Sequence, residues 1–327
     1  MCPLRRPPWL RRVAQPVSQV LNTTGDLSFR DRPSIRPAGA LLLVGALALL
    51  TALPAAAHEP LWGETPSVFG FGVIHPEVRF GYRDAGATRR GGIRQRLFES
   101  ETMVQYAPSI ALNLMLEIPW MQSVRESRGR RVSIGGLGDI ELLAKRRFSV
   151  RQSEGLNVQQ SLIYGVKLPT GADSHRDVTG RRADPHDQPG TGNPGLVLGY
   201  AWDRERVQDT VWASMRYHRD LGGGFRMGDM LEVDSAYGWW FIRANEAAHL
   251  GFNLAVGLHG ELHAADPLGG AGSARNQHRL LGVQVTPIFT RGNHQLRLGV
   301  FVPFVRSGPA DHADFPMEFR FAFETFF

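Results

Sequence analysis

From about residue 72 onward, apolar and polar residues alternate with a period of two, which is the signature of extended strands with two unlike faces. In "SIALNLMLEIPW", Ile110, Leu112, Leu114, Leu116, Ile118 and Trp120 share one face, while Ala111, Asn113, Met115, Glu117 and Pro119 share the other. "HLGFNLAVGLHGELH" sets Leu250, Phe252, Leu254, Val256 and Leu258 against Asn253, His259 and Glu261. "HQLRLGVFVPF" sets Leu296, Leu298, Val300, Val302 and Phe304 against Gln295, Arg297, Gly299, Phe301 and Pro303. The closing "PMEFRFAFETFF", with the Phe315 that precedes Pro316 counted in, places Phe315, Met317, Phe319, Phe321, Phe323, Thr325 and Phe327 on one side, with Phe326 as the exception to the alternation.

Twelve such segments are predicted: 72–83, 94–106, 108–121, 136–149, 155–169, 193–204, 207–219, 229–242, 247–263, 276–289, 293–305 and 315–327. Most are longer than the five or six residues usual in soluble sheets and suit a tilted membrane crossing of about 9–11 residues. The connections alternate long and short. Those at 84–93, 122–135, 170–192, 220–228, 264–275 and 306–314 are long. Outer-membrane barrels join their strands in this rhythm, with long external loops and short periplasmic turns.

A sheet in lipid must close, because an open edge leaves unpaired N–H and C=O groups where no water can reach them. Its apolar face then looks outward and its polar face lines the lumen. Glu77, Arg79, Glu117, Glu141, Lys167, Arg216, Glu232 and Asp234 carry the inward parity and are predicted to line the lumen. Tyr106, Trp120, Tyr200, Trp202, Tyr217 and Trp239 carry the outward parity near strand ends, where the aromatic girdles of such barrels sit. The fold class predicted is all-β, a transmembrane antiparallel up-and-down barrel of about twelve strands spanning 72–327, with both termini in the periplasm.

The formal charge of +6 changes little in this picture. Seven of the 37 basic and two of the 31 acidic residues lie before residue 58, which leaves 30 against 29 in the remainder. No basic patch suited to nucleic acid remains. The single cysteine, Cys2, excludes an internal disulfide. Ahead of the barrel, Arg30, Arg32 and Arg36 precede an apolar stretch from Ala38 to Leu53 and the small residues Ala55-Ala56-Ala57. This reads as a cleaved signal peptide over 30–57; its core is too short for a spanning helix. Residues 1–29 read as an extension from a start placed too early, and 58–71 as a periplasmic tail, disordered in the simplest reading, with tucking into the barrel as a plug or packing below it as the alternatives.

"GLGDIELLAKRRF" (136–148) followed by "QSLIYGVKLPTGAD" (160–173) resembles the outer-membrane family of meta-pathway phenol-degradation proteins, many of whose members are called transporters. The resemblance implies an outer-membrane barrel that passes small, often aromatic or hydrophobic compounds. It implies no catalytic residues.

Candidate chemistry is sparse. His259, Glu261 and His263 share the lumen face, and imidazole with carboxylate suits zinc or copper. Residues two apart on a strand are separated by about 6.6 Å, wide for joint coordination, so a polar rim is the simpler reading. His58 would be the first residue after cleavage and offers an amine and an imidazole to a metal. The loop "PTGADSHRDVTGRRADPHDQPGTGN" gathers Asp173, His175, Asp177, Asp184, His186 and Asp187, and its glycines and prolines read as a solvated external loop. Ser161, Ser214 and His218 have lumen parity but define no catalytic triad.

The sequence therefore points to a non-enzymatic channel in the outer membrane of a Gram-negative bacterium, without cofactor, that passes small solutes passively. The alternative is a non-transporting barrel, either an enzyme or a platform that presents its loops. Lipid, lipopolysaccharide and the barrel-assembly machinery are the expected partners. Phe323 and Phe327 form the assembly signal, since a final Phe on an alternating strand is the pattern that machinery reads. Deleting Phe327, or replacing it with Asp, is expected to reduce sharply the heat-modifiable barrel recovered from the outer-membrane fraction on gels; undiminished recovery would refute this role.

Overall fold

A computed structural model describes residues 60–85, 94–127, 130–176, 182–183, 188–222, 228–243, 250–264, 277–307 and 315–327. The expected signal peptide, the 1–29 extension and His58 lie outside these residues. Thirteen strands form one antiparallel sheet: β1 (Ile74–Ala85), β2 (Arg94–Ser109), β3 (Leu112–Ser127), β4 (Arg130–Leu137), β5 (Ile140–Ser153), β6 (Leu156–Leu168), β7 (Gly195–Arg206), β8 (Asp209–Asp220), β9 (Met230–Ile242), β10 (Leu250–His263), β11 (His278–Arg291), β12 (His294–Ser307) and β13 (Glu318–Thr325). Each pairs with its neighbours in chain order, except that β4 and β5 both pair with β3 and not with each other, and β1 pairs with β13 to close the barrel.

Twelve strands cross the wall, because β4 and β5 are one strand with a break. β3 faces β4 from Trp120 to Ser127 and β5 from Leu112 to Glu117. The break falls at Gly138-Asp139. Gly138 donates its N–H to the Pro119 carbonyl at 2.8 Å, and a Cβ there would meet Pro119 and the Pro189 carbonyl at 2.9 Å, so the kink requires a glycine. The Asp139 carboxylate accepts N–H bonds from Gly171 (2.9 Å) and Thr191 (2.8 Å), which ties the following long loop to the wall.

β4 corrects one expectation. Residues 122–135 were predicted as a long external loop, yet most of them extend the β3–β4 hairpin, whose strands end at Ser127 and begin again at Arg130. Phe315 is a second correction. It precedes β13 rather than joining its lipid face, packs on the buried Leu61–Trp62 cluster, and lies 5.2 Å under the Arg83 guanidinium. Phe326 breaks the alternation for a reason: it turns inward, stacking on His75 at 4.5 Å and meeting Phe69 edge-on at 5.5 Å.

The parity itself holds along the wall. Leu114, Trp120, Val256, Leu258, Phe319, Phe321 and Phe323 are exposed on the outside, while Asn113, Met115, Glu117, Asn253, His259 and Glu318 are buried inside. Closure at the β1–β13 seam sets Glu77 opposite Glu324, two carboxylates on the same inward face. Like charges in direct register repel. Arg297 on β12 lies between them, 2.6 Å from Glu77 and 2.8 Å from Glu324, and all three side chains are fully buried. Arg297→Met should therefore destabilise the folded barrel by about 3–5 kcal/mol, the usual cost of leaving buried charge unpartnered. Adding Glu77→Gln and Glu324→Gln should restore much of it. Heat-modifiable mobility on gels measures both, and a single variant as heat-resistant as the parent would refute the role.

Candidate functional site

The lumen gathers every charge that the alternation turns inward, and it sorts them into groups. At the seam stand His75, Glu77, Arg79, Arg297 and Glu324. Elsewhere in the lumen, Arg216 on β8 reaches Glu117 on β3 at 2.7 Å and Glu141 on β5 at 3.3 Å. β8 neighbours neither β3 nor β5 in the sheet, so these pairs cross the lumen. His218 stands 3.5 Å from Glu141 and 3.9 Å from Glu232. Lys167 is bound to Asp220 and lies 3.7 Å from Asp139, under the rim. Asp234 holds His259 at 2.8 Å. The structure thus places the eight predicted lumen residues in the interior, but in separate groups.

Residues 60–69 run through the same interior, with Gly70, Phe71 and Gly72 exposed at their end, and are the feature with least signal in the sequence. The simplest reading of the tail, a disordered one, is corrected: residues 60–69 are tucked inside the barrel. The segment runs from the turn end of the barrel, where the Gly72 N–H donates to the Ala107 carbonyl at 2.8 Å. The Phe69 N–H donates to Asn113 Oδ1 at 3.3 Å, and the Ser161 hydroxyl donates to the Pro66 carbonyl. The Glu64 N–H donates to Ser214 Oγ at 3.0 Å, while the Glu64 carboxylate meets Lys145 Nζ at 3.2 Å with both side chains buried. Ser161 and Ser214, considered above for nucleophilic chemistry, therefore both serve this segment. Burial works against ionisation of Glu64, but Lys145, Arg79 and Arg216 outweigh it and hold the carboxyl below its ordinary range.

At the inner end the fit is steric. Trp62 packs on Phe301 (6.2 Å between ring centroids) and His259 (6.5 Å), under the Arg320 guanidinium at 5.0 Å. Gly299 on β12 makes room for it: a Cβ there would fall 2.5 Å from the Trp62 ring and 2.6 Å from Leu61. Gly63 has φ +78, a conformation costly for other residues, and a Cβ on it would strike Ser214 and Asp234. Arg297 donates to the Pro60 carbonyl at 3.0 Å.

Beside this plug a cavity of about 380 Å³ remains, with Leu61, Gly63 and Glu64 on one side. Arg79, Arg83, Arg216 and Arg320 line it together with the carboxylates of Glu64, Glu99, Glu101, Glu232, Asp234 and Glu261, so its wall is highly charged, mixed in sign and somewhat richer in acidic groups. Of the weak metal candidates, His259 is held between Asp234 and Glu261 (3.0 Å), and His263 stacks on His278. In the long loop, Asp173 pairs with Arg182 at 3.0 Å, and His175 exchanges backbone bonds with the Gln188 side chain. Asp177, Asp184, His186 and Asp187 lie outside the described residues. The loop's far part is anchored rather than solvated, since Gln188 and Asn193 are buried.

No protein-family model matches the chain, and no curated protein matches it in sequence. Solved structures do match. The COG4313 outer membrane channel from Pseudomonas putida F1 aligns at TM-score 0.62 and 14% identity over 80% of this chain and 97% of its own. The beta domain of the Bordetella autotransporter Brka aligns at TM-score 0.46 and 12% identity over 78% and 100%. Pseudomonas putida OprB aligns at TM-score 0.34 and 8% identity over 78% and 94%. At such identities the likeness is one of fold, and the first of these carries it. The chain has the closed, twelve-stranded antiparallel fold of an outer-membrane β-barrel.

Proposed function

We propose that this chain is an outer-membrane channel for the passive passage of small solutes, with both termini in the periplasm, and that residues 60–69 set its width. The observation that carries the reading is the plug. A barrel of this size is wider than side chains alone can fill, as an eight-stranded one is filled. Here a separate chain segment takes up the space, held by hydrogen bonds, one buried ion pair and a tryptophan seat, all reversible contacts. The mixed-sign, highly charged wall of the cavity favours small polar solutes. The family resemblance points instead to aromatic or hydrophobic compounds, and uptake of a sugar against a phenol by proteoliposomes separates the two. The apolar outer band faces lipid and lipopolysaccharide, and Phe327 is offered to the assembly machinery. No catalytic role is proposed: Ser161, Ser214 and His218 are occupied by the plug backbone or by carboxylates.

In planar bilayers, deletion of residues 58–69 should raise single-channel conductance severalfold. Gly299→Val, which removes the seat for Trp62 without shortening the chain, should act in the same direction. A barrel that stays closed in both forms would favour the non-transporting alternative.

The ion pair adds a pH dependence. With Glu64 lowered in the seated plug and near 4.5 when released, its contribution is present above pH 4.5 and disappears as pH falls through the lowered value. Conductance should therefore rise on acidification below about pH 4.5. Glu64→Gln should already be more open at neutral pH and respond less to acid. An identical pH profile in that variant would remove Glu64 from the account.

A further inference from the structure

The lumen face near the loop end of β10 and β11 brings together side chains that sequence spacing keeps apart. His263 and His278 are direct cross-strand partners on these two strands. Their rings stack with centroids 3.6 Å apart and a 23° tilt. Glu261 lies two residues before His263 on the same face, and its Oε2 is 3.7 Å from His263 Nε2. One ligand atom from each of Glu261, His263 and His278 lies within 4.8 Å of the others. A tetrahedral zinc with bonds of about 2.0–2.1 Å needs its ligands roughly 3.4 Å apart, so modest rotation of the two imidazoles converges the set.

A second observation concerns the carboxylate. Glu261 is not a loose surface acid. Its Oε1 is bound by His259 Nε2 at 3.0 Å, and His259 Nδ1 is bound by Asp234 Oδ1 at 2.8 Å. His259 is buried and packs edge-on against Phe301. This row fixes the carboxylate plane and leaves Oε2 turned toward His263. Outer partners of this kind orient and tune the ligands of metal sites.

We propose that Glu261, His263 and His278 form a binding site for a borderline transition-metal dication of the zinc or copper class, with Asp234 and His259 as positioning residues. Two imidazoles and one carboxylate select such ions over magnesium and calcium, which take all-oxygen shells. Three protein ligands leave one position open to water or to a solute in the cavity, which Glu261 and His263 line. The weak candidate trio of His259, Glu261 and His263, which spacing reads more simply as a polar rim, is thereby revised: His259 stands behind the carboxylate, and the cross-strand His278 takes its place. The inference is independent of whether the barrel conducts.

The test uses the full chain folded in detergent. Titration with Zn²⁺ by calorimetry should give one ion per chain, unaffected by millimolar Mg²⁺. Cu²⁺ should show imidazole nitrogen couplings by electron paramagnetic resonance. His263→Ala and His278→Ala should each weaken Zn²⁺ by well over tenfold, and His259→Gln by about tenfold, the range seen for outer partners. Arg279→Ala, on the outward face between β11's inward residues, should change nothing. Heat-modifiable mobility establishes that each variant is folded. Unchanged stoichiometry and affinity in a folded His263→Ala/His278→Ala double variant, or no Zn²⁺ binding by the parent at micromolar concentration, would overturn the site.

Discussion

Closure of the sheet is the constraint from which the rest follows. Within a bilayer every strand must find a partner on both sides, and the last two unpaired edges are those of β1 and β13. They meet in register from Glu77–Glu324 to Arg83–Glu318, and the Ile74 and Phe327 backbones exchange bonds beyond it. Once the ring is closed, alternate residues have nowhere to point but inward. The wall can then be apolar where it meets lipid, and the polar residues collect in the interior. A soluble sandwich uses the same period with the opposite sense.

That inversion creates a second problem, because charges crowded into a narrow lumen must be neutralised there. Unpaired buried charge costs several kcal/mol, so the interior is organised as partnered groups. Arg297 between Glu77 and Glu324 makes the seam tolerable, and Arg216 ties strands that never touch in the sheet. Lys145 finds its counter-ion, Glu64, on the plug. Wall and plug are therefore complementary in charge as well as shape.

Much of this was legible in the sequence, and the reasons are local. Parity assigns each side chain to the inside or outside, which is why Glu117, Arg216 and Asp234 could be placed from spacing alone. The reading failed where lipid stops imposing its pattern. In "RESRGRR", the β3–β4 hairpin has polar residues on both faces and so looks like a loop, although it is strand up to Ser127 and again from Arg130. Phe315 fails for the converse reason: an aromatic outside the strand was read as part of its lipid face, whereas it caps the interior cluster. Contacts across the barrel were beyond reach, since register between β10 and β11, and hence the meeting of His263 with His278, depends on a loop whose length does not encode it.

The plug left one trace that parity alone does not interpret. A lumen-facing glycine in the middle of a strand weakens that strand, having no side chain to pack and the largest entropy to lose. Gly299 lies between Arg297 and Phe301, both large and fully buried. A gap between two such residues is costly unless something from elsewhere in the chain fills it, and Trp62 with Leu61 does so. The tail tryptophan and the interior glycine are thus two halves of one signal. Trp62 would be a sticky residue in a free tail, and Gly299 a hole in a bare wall. Each is reasonable only because the other is present, and their contact makes the filling of the lumen a property of the N-terminal segment as well as of the strand count.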